Sequence, residues 1–126
     1  MNKEQLLNLV DSLKLPKTDY AILSSGVLLL YGLREKAGDL DLCVSSKAFE
    51  ILKERFNLDE NAKNEFGFYK ITEDIEIVVN DNFEKAFYEG YPVQPLENIL
   101  QYKKQRLATK DLPDIAAIET YLSENK

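Results

Sequence analysis

Apolar and polar positions along the chain change rhythm several times. Between Asn2 and Leu15 the residues Leu6, Leu7, Leu9, Val10 and Leu13 recur near the helical period, and Pro16 ends the run, which predicts an amphipathic first helix. After the turn residues Pro16 to Asp19, the apolar run Tyr20-Ala-Ile-Leu23 is expected to be a short buried strand, with Ser24-Ser25-Gly26 as its exit. Val27 to Tyr31, closed by Gly32, predicts a short buried helix ending on a glycine cap. Asp39-Leu-Asp-Leu-Cys-Val44 then alternates at period two, the mark of a half-buried strand.

Ser45 or Ser46 is placed to cap a helix running to about Phe56, with Phe49, Ile51, Leu52 and Phe56 on its inner face. Residues Asn57 to Glu65 are polar and turn-like. Phe66 to Ile71 and Asp74 to Val79 are two further strand candidates, joined through Thr72-Glu73 as a hairpin. Asn80 or Asp81 is expected to cap a short helix through Tyr88, followed by a turn from Gly90 to Pro95. Leu96 to Leu107 and Leu112 to Leu122 predict two closing helices. This order gives an α/β (α+β) class, a small mixed β-sheet with helices packed on it. No repeat or linker divides the chain, so one domain over residues 1–126 is expected, with a core at about 20–80 and closing helices at about 96–122.

Composition narrows the chemistry. The chain has no histidine, which removes Ser-His-Asp and Cys-His catalysis and imidazole-ligated zinc as intrachain mechanisms. A net charge of −6 argues against a broad basic face for nucleic acid. The single Cys43 cannot form an internal disulfide, which points to a reducing compartment. No apolar run approaches the roughly 20 residues of a membrane helix, and the N-terminal MNKEQLLNLV lacks a signal-peptide pattern. A cytoplasmic protein without membrane contact is the expectation.

Alternation puts Asp39, Asp41 and Cys43 on one face of their strand, and Asp74 and Glu76 opposite to Ile75, Ile77 and Val79 on theirs. If the apolar rows share a core, the acidic rows share a surface, and several carboxylates come within reach of one point. Like charges at such spacing repel unless protonated or matched by cations, and a divalent metal is the usual solution. The alternative is a plain solvated outer face. Next to these acids in sequence stands the strand-to-helix turn Ser24-Ser25-Gly26, whose hydroxyls and backbone N–H groups suit phosphate oxygens.

In this order and spacing the stretch Leu23 to Val44 resembles the nucleotidyltransferase fold superfamily, the DNA polymerase β-like group, and most of all its small bacterial members of the AbiEii and minimal nucleotidyltransferase types. Ser25 falls at the second position of the family's small pair, Gly32 closes the helix, Arg34 precedes the acids, and Asp39 and Asp41 match the acidic pair. Glu76 matches the third acid, with Asp74 as the rival assignment. The stretch from Lys103 to Asp114 is similar to the family's C-terminal helix pair, where a Lys-Asp step, here Lys110-Asp111, opens the last helix. One departure is Ser24, where the family usually has Gly.

The resemblance implies transfer of a nucleoside monophosphate from a nucleoside triphosphate to an acceptor hydroxyl by two-metal catalysis. Asp39, Asp41 and Glu76 would be the catalytic carboxylates and, with Asp74 as a further candidate, the ligands of Mg²⁺ or Mn²⁺. Ser24, Ser25, Gly26, Arg34, Lys103 and Lys110 are the nucleotide-binding candidates. For Arg34 the competing role is an ion pair with Glu35 or Asp39, and for Lys103, Lys104, Arg106 and Lys110 it is a solvated helix face. Tyr31, Tyr69, Tyr88, Tyr91 and Tyr102 offer rings for base stacking or for core edges. A homodimer or a partner chain is expected to supply what so short a chain lacks for an acceptor. The alternative is a degenerate nucleotide- or partner-binding domain of the same fold, such as a toxin–antitoxin component, or a plain acidic interaction module.

Overall fold

A computed structural model describes residues 1–125. Helix α1 (Lys3–Ser12) opens on a capping box, in which Asn2 and Gln5 each accept the other's backbone N–H through their side chains. It is shorter than the apolar period suggests, because Lys14 turns into the left-handed region, with φ of 51°, before Pro16 is reached. Leu6 and Val10 carry its buried stripe.

Strand β1 (Tyr20–Ile22) leads directly into α2 (Ser24–Leu30). Ser24-Ser25-Gly26 is therefore the first turn of the helix, and not an exit loop before it. Packing explains the early start. A Cβ on the buried Gly26 would come within 2.9 Å of Ile22 Cγ2 and 3.2 Å of Leu6 Cδ1. Only glycine lets α2 lie this close to β1 and α1. Gly32, with φ of 75°, closes the segment.

Strand β2 (Leu40–Val44) is followed by α3 (Ser46–Phe56), whose N-cap Ser45 accepts the Ala48 N–H at 3.1 Å and whose end turns through the left-handed Asn57. Strands β3 (Tyr69–Thr72) and β4 (Ile75–Val79) form the expected hairpin. The expected helix from residue 80 to 88 does not form. Its two supposed caps are engaged elsewhere: Asn80 Oδ1 accepts the Asn82 N–H in a local turn, and Asp81 accepts both the N–H and the hydroxyl of Ser46 at 2.7 and 2.6 Å, securing the start of α3. The chain instead makes β5 (Ala86–Tyr88) and β6 (Tyr91–Val93), a hairpin turning at Glu89 and Gly90, both at positive φ.

The six strands form one sheet in the order β3-β4-β2-β1-β6-β5. Pairing is mixed: β2 with β4 and β1 with β6 run parallel, the other neighbours antiparallel. Helix α4 (Leu96–Arg106) and helix α5 (Leu112–Glu124) close the chain, joined by the left-handed Leu107 and a single 3₁₀ turn at Thr109–Asp111. Leu6, Ile22, Leu28, Leu40, Leu42, Ile77, Ile99 and Ile118 are among the fully buried side chains of one continuous core. Burying each such side chain contributes roughly 1.5–3 kcal/mol. Among the described residues no helix is long and apolar enough to cross a membrane.

Candidate functional site

The site grows from the register of two parallel strands. Leu40, Leu42 and Val44 of β2 stand beside Ile75, Ile77 and Val79 of β4, and all but the half-buried Val79 are buried in the core. Because side chains alternate, Asp41 and Glu76, which are register partners, share the opposite face on strands about 5 Å apart. Asp39 lies one residue before β2. The Asp41 carboxyl is half-buried and is pushed up to about 6, first by burial, then by the charges of Glu76 and Asp39. Glu76 and Asp39 are thus each within electrostatic reach of Asp41. Among the described residues no three acidic or thiol side chains converge closely enough to hold a metal ion.

Asp74, the rival third acid, sits in the β3–β4 turn, where its carbonyl accepts the Leu40 N–H at 2.8 Å. It lines a separate groove of about 540 Å³ against α1, with Met1, Gln5 and Gly38. Glu76 is the acid that shares Asp41's level.

Ser24 and Asp41 line one cavity of about 360 Å³ together with Phe68, Gln94, Tyr102 and Arg106. The serine turn is fixed relative to Asp41 by a backbone bond, since the Leu23 N–H donates to the Asp41 carbonyl at 2.9 Å. Ser24 holds a left-handed φ of 48°, and its N–H donates to Gln94 Oε1 at 3.0 Å. That N–H is not open to a phosphate, contrary to the expected cradle. Gly26 is buried and serves packing against Ile22 and Leu6. Ser25 is half-buried in the first turn of α2.

The expected basic ligands are mostly engaged elsewhere. Lys103 is only 3% exposed and pairs with Asp111 at 3.2 Å and Asp114 at 3.3 Å, so it is neither a solvated charge nor a free phosphate ligand. Arg34 also pairs with Asp114, at 3.3 Å, instead of with Glu35 or Asp39. Lys110 is exposed on the 3₁₀ turn and lies outside the cavity lining. Arg106 is the cation that does line the cavity. Asp111 accepts two hydrogen bonds from its guanidinium, which also lies 5.2 Å from the Tyr102 ring centroid. The Asp111 carboxyl is held well below the usual carboxylate range by Arg106 first, then Lys103, against the opposing effect of burial. Among the tyrosines, Tyr31 stacks on Tyr88 at 3.8 Å and meets Tyr121 edge-on, a packing role.

Cys43, next along the acidic face, is buried, and its thiol is pushed up to about 11 by burial and then by Asp81, which makes it a poor nucleophile. Gln94 and Phe68 were not foreseen from the sequence as site residues. The helical spacing of Ile99, Tyr102 and Arg106, one face of α4, is the signal that groups the α4 wall.

Compared with protein-family models, with curated proteins and with solved structures, the chain gives no match.

Proposed function

We propose that this chain is a metal-dependent nucleotidyltransferase, moving a nucleoside monophosphate from a nucleoside triphosphate to an acceptor hydroxyl. The observation that carries it is the register pairing of Asp41 with Glu76 across β2 and β4, with Asp41 lining a cavity that Ser24 also lines and Glu76 outside that lining. A volume of about 360 Å³ falls in the range of small-ligand sites. The donor set suits Mg²⁺ or Mn²⁺, because it consists of carboxylate oxygens whose mutual repulsion a cation relieves.

Asp39, Asp41 and Glu76 would hold the cation, which when bound neutralises triphosphate charge and polarises the reacting phosphoryl group. In the apo protein Asp41 is ionised above about pH 6, so the carboxylate form needed for binding is available at neutral pH. Glu76 would take the proton of the attacking hydroxyl, since the chain has no histidine for that task. Attack forms one P–O bond at the α-phosphorus, and the bond to the β-phosphate oxygen breaks to release pyrophosphate. The Ser25 hydroxyl would donate to outer phosphate oxygens. Phe68 and Tyr102 offer ring surface to the base.

A binding-only domain of the same fold is the second reading, favoured by the Ser24 N–H being already bonded to Gln94. The lone buried Cys43 supports a reducing, cytoplasmic compartment. Incorporation of α-labelled nucleoside triphosphate with Mg²⁺ or Mn²⁺ tests the proposal. Label transfer by the wild type that is abolished in Asp39→Asn plus Asp41→Asn supports catalysis. Thermal stabilisation by nucleotide and metal without transfer supports the binding-only domain.

A further inference from the structure

At the exit of β1, three consecutive residues are tied alternately to opposite neighbours. The Ile22 carbonyl accepts the Gln94 backbone N–H at 2.8 Å, the Leu23 N–H donates to the Asp41 carbonyl at 2.9 Å, and the Ser24 N–H donates to Gln94 Oε1 at 3.0 Å. Gln94 therefore holds this corner twice, once through its backbone and once through its side chain. Its own placement is stiff. It follows β6 directly, and Pro95 after it restricts its backbone to extended conformations.

The residue it holds needs holding. Ser24 stands at φ of 48°, a region L residues other than Asn and Gly avoid because Cβ crowds the following carbonyl. A serine there has to be kept in place by an added interaction, and the structure provides one, from a side chain that lines the same cavity as Asp41.

We propose that Gln94 is a positioning residue, fixing the Ser24–Ser25 turn against Asp41; the structural half of this inference stands alone, and its kinetic half rests on the nucleotidyltransferase reading. Gln94 acts through the turn. Removing its acceptor frees Ser24 to leave the left-handed region, and the Ser24–Ser25 turn is then no longer held in one conformation next to Asp41. A glycine at position 24 holds the same backbone conformation without the added bond, so it compensates for the loss of Gln94.

The test uses Gln94→Ala, Gln94→Glu and the double variant Gln94→Ala/Ser24→Gly, each checked for folding by circular dichroism. The first readout is amide hydrogen exchange at Ser24 by NMR, which needs no substrate. Exchange at least about 10-fold faster in Gln94→Ala, and unchanged in Gln94→Glu where an acceptor oxygen remains, is the expected result. Equal protection in Gln94→Ala and wild type overturns the inference.

The second readout is kcat and KM for nucleotide transfer. Gln94→Ala is expected to lose about 10-fold in kcat/KM, with most of it recovered in the double variant. A loss that Ser24→Gly does not rescue means that Gln94 meets the substrate itself, and overturns the positioning role. Faster exchange with unchanged kinetics overturns the kinetic half and supports the structural half. A wild type that transfers no nucleotide refutes the enzymatic reading, while the exchange result still decides whether Gln94 holds the turn.

Discussion

Replacing Asp41 by asparagine should make the apo protein more stable at neutral pH while abolishing the proposed nucleotide transfer. Asparagine has nearly the same shape, so packing is preserved and the change is electrostatic. A carboxyl raised from 3.8 to about 6 pays for ionisation in the folded state. At neutral pH that amounts to about 3 kcal/mol, which solvent access to a half-buried group reduces to roughly 1–2 kcal/mol. The sign follows from linkage. Because the folded-state value is the higher one, the folded protein binds the proton more tightly, and the destabilisation is fully present above about pH 6 and disappears as pH falls toward the unfolded value of 3.8.

Urea unfolding of both proteins in EDTA, at pH 7.5 and at pH 4, reads this directly. The expected result is a gain of roughly 1–2 kcal/mol for Asp41→Asn at pH 7.5, or about 3–8 °C in melting temperature, shrinking toward zero at pH 4. A variant less stable than wild type at pH 7.5, or a difference that does not change with pH, would refute the reasoning. Asp41 would then be an ordinary structural carboxylate.

Four further outcomes follow from other parts of the molecule. Glu76→Gln should lower the Asp41 carboxyl toward its ordinary range, visible as a downfield-shift titration of the Asp41 side chain by NMR moving to lower pH. Gly26→Ala should destabilise by about 1–3 kcal/mol in chemical unfolding, because its Cβ meets Ile22 and Leu6. Asp111→Ala, which leaves Asp114 as the acidic partner of the buried Lys103, should cost about 1–3 kcal/mol, and with Asp111 intact its contribution is present above pH 4 and lost only in strong acid. Leu107→Gly should add up to about 1 kcal/mol, since Leu107 is exposed and ends α4 at φ of 54°.

What the sequence revealed and what it hid have separate physical causes. The alternation in Asp39 to Val44 and in Asp74 to Val79 reports which side of a strand meets the core, and a core on one side forces Asp41 and Glu76 to the other. That part of the site was legible, as was Ser45 at the start of α3. The segment from Asn80 to Val93 was not. Its strands are three residues each, too short to display a period, and its cap-like residues Asn80 and Asp81 serve a local turn and a helix more than thirty residues earlier. Lys103 looked like one charge among several on an exposed helix. Its partners Asp111 and Asp114 reach it only because the chain reverses at Leu107. Gln94 carried no pattern at all, since its role depends on Ser24, seventy residues away in sequence.

Asp41 and Glu76 are proposed to grip one cation, and the proposed chemistry depends on that grip. Titrating Mn²⁺ into the protein with a nonhydrolysable nucleoside triphosphate, followed by electron paramagnetic resonance, measures that grip without requiring turnover. The expected result is saturable Mn²⁺ binding in the wild type and in Asp74→Asn, weakened at least about 10-fold in Asp41→Asn and in Glu76→Gln. Binding that survives both of those changes, or that is lost only in Asp74→Asn, would contradict it.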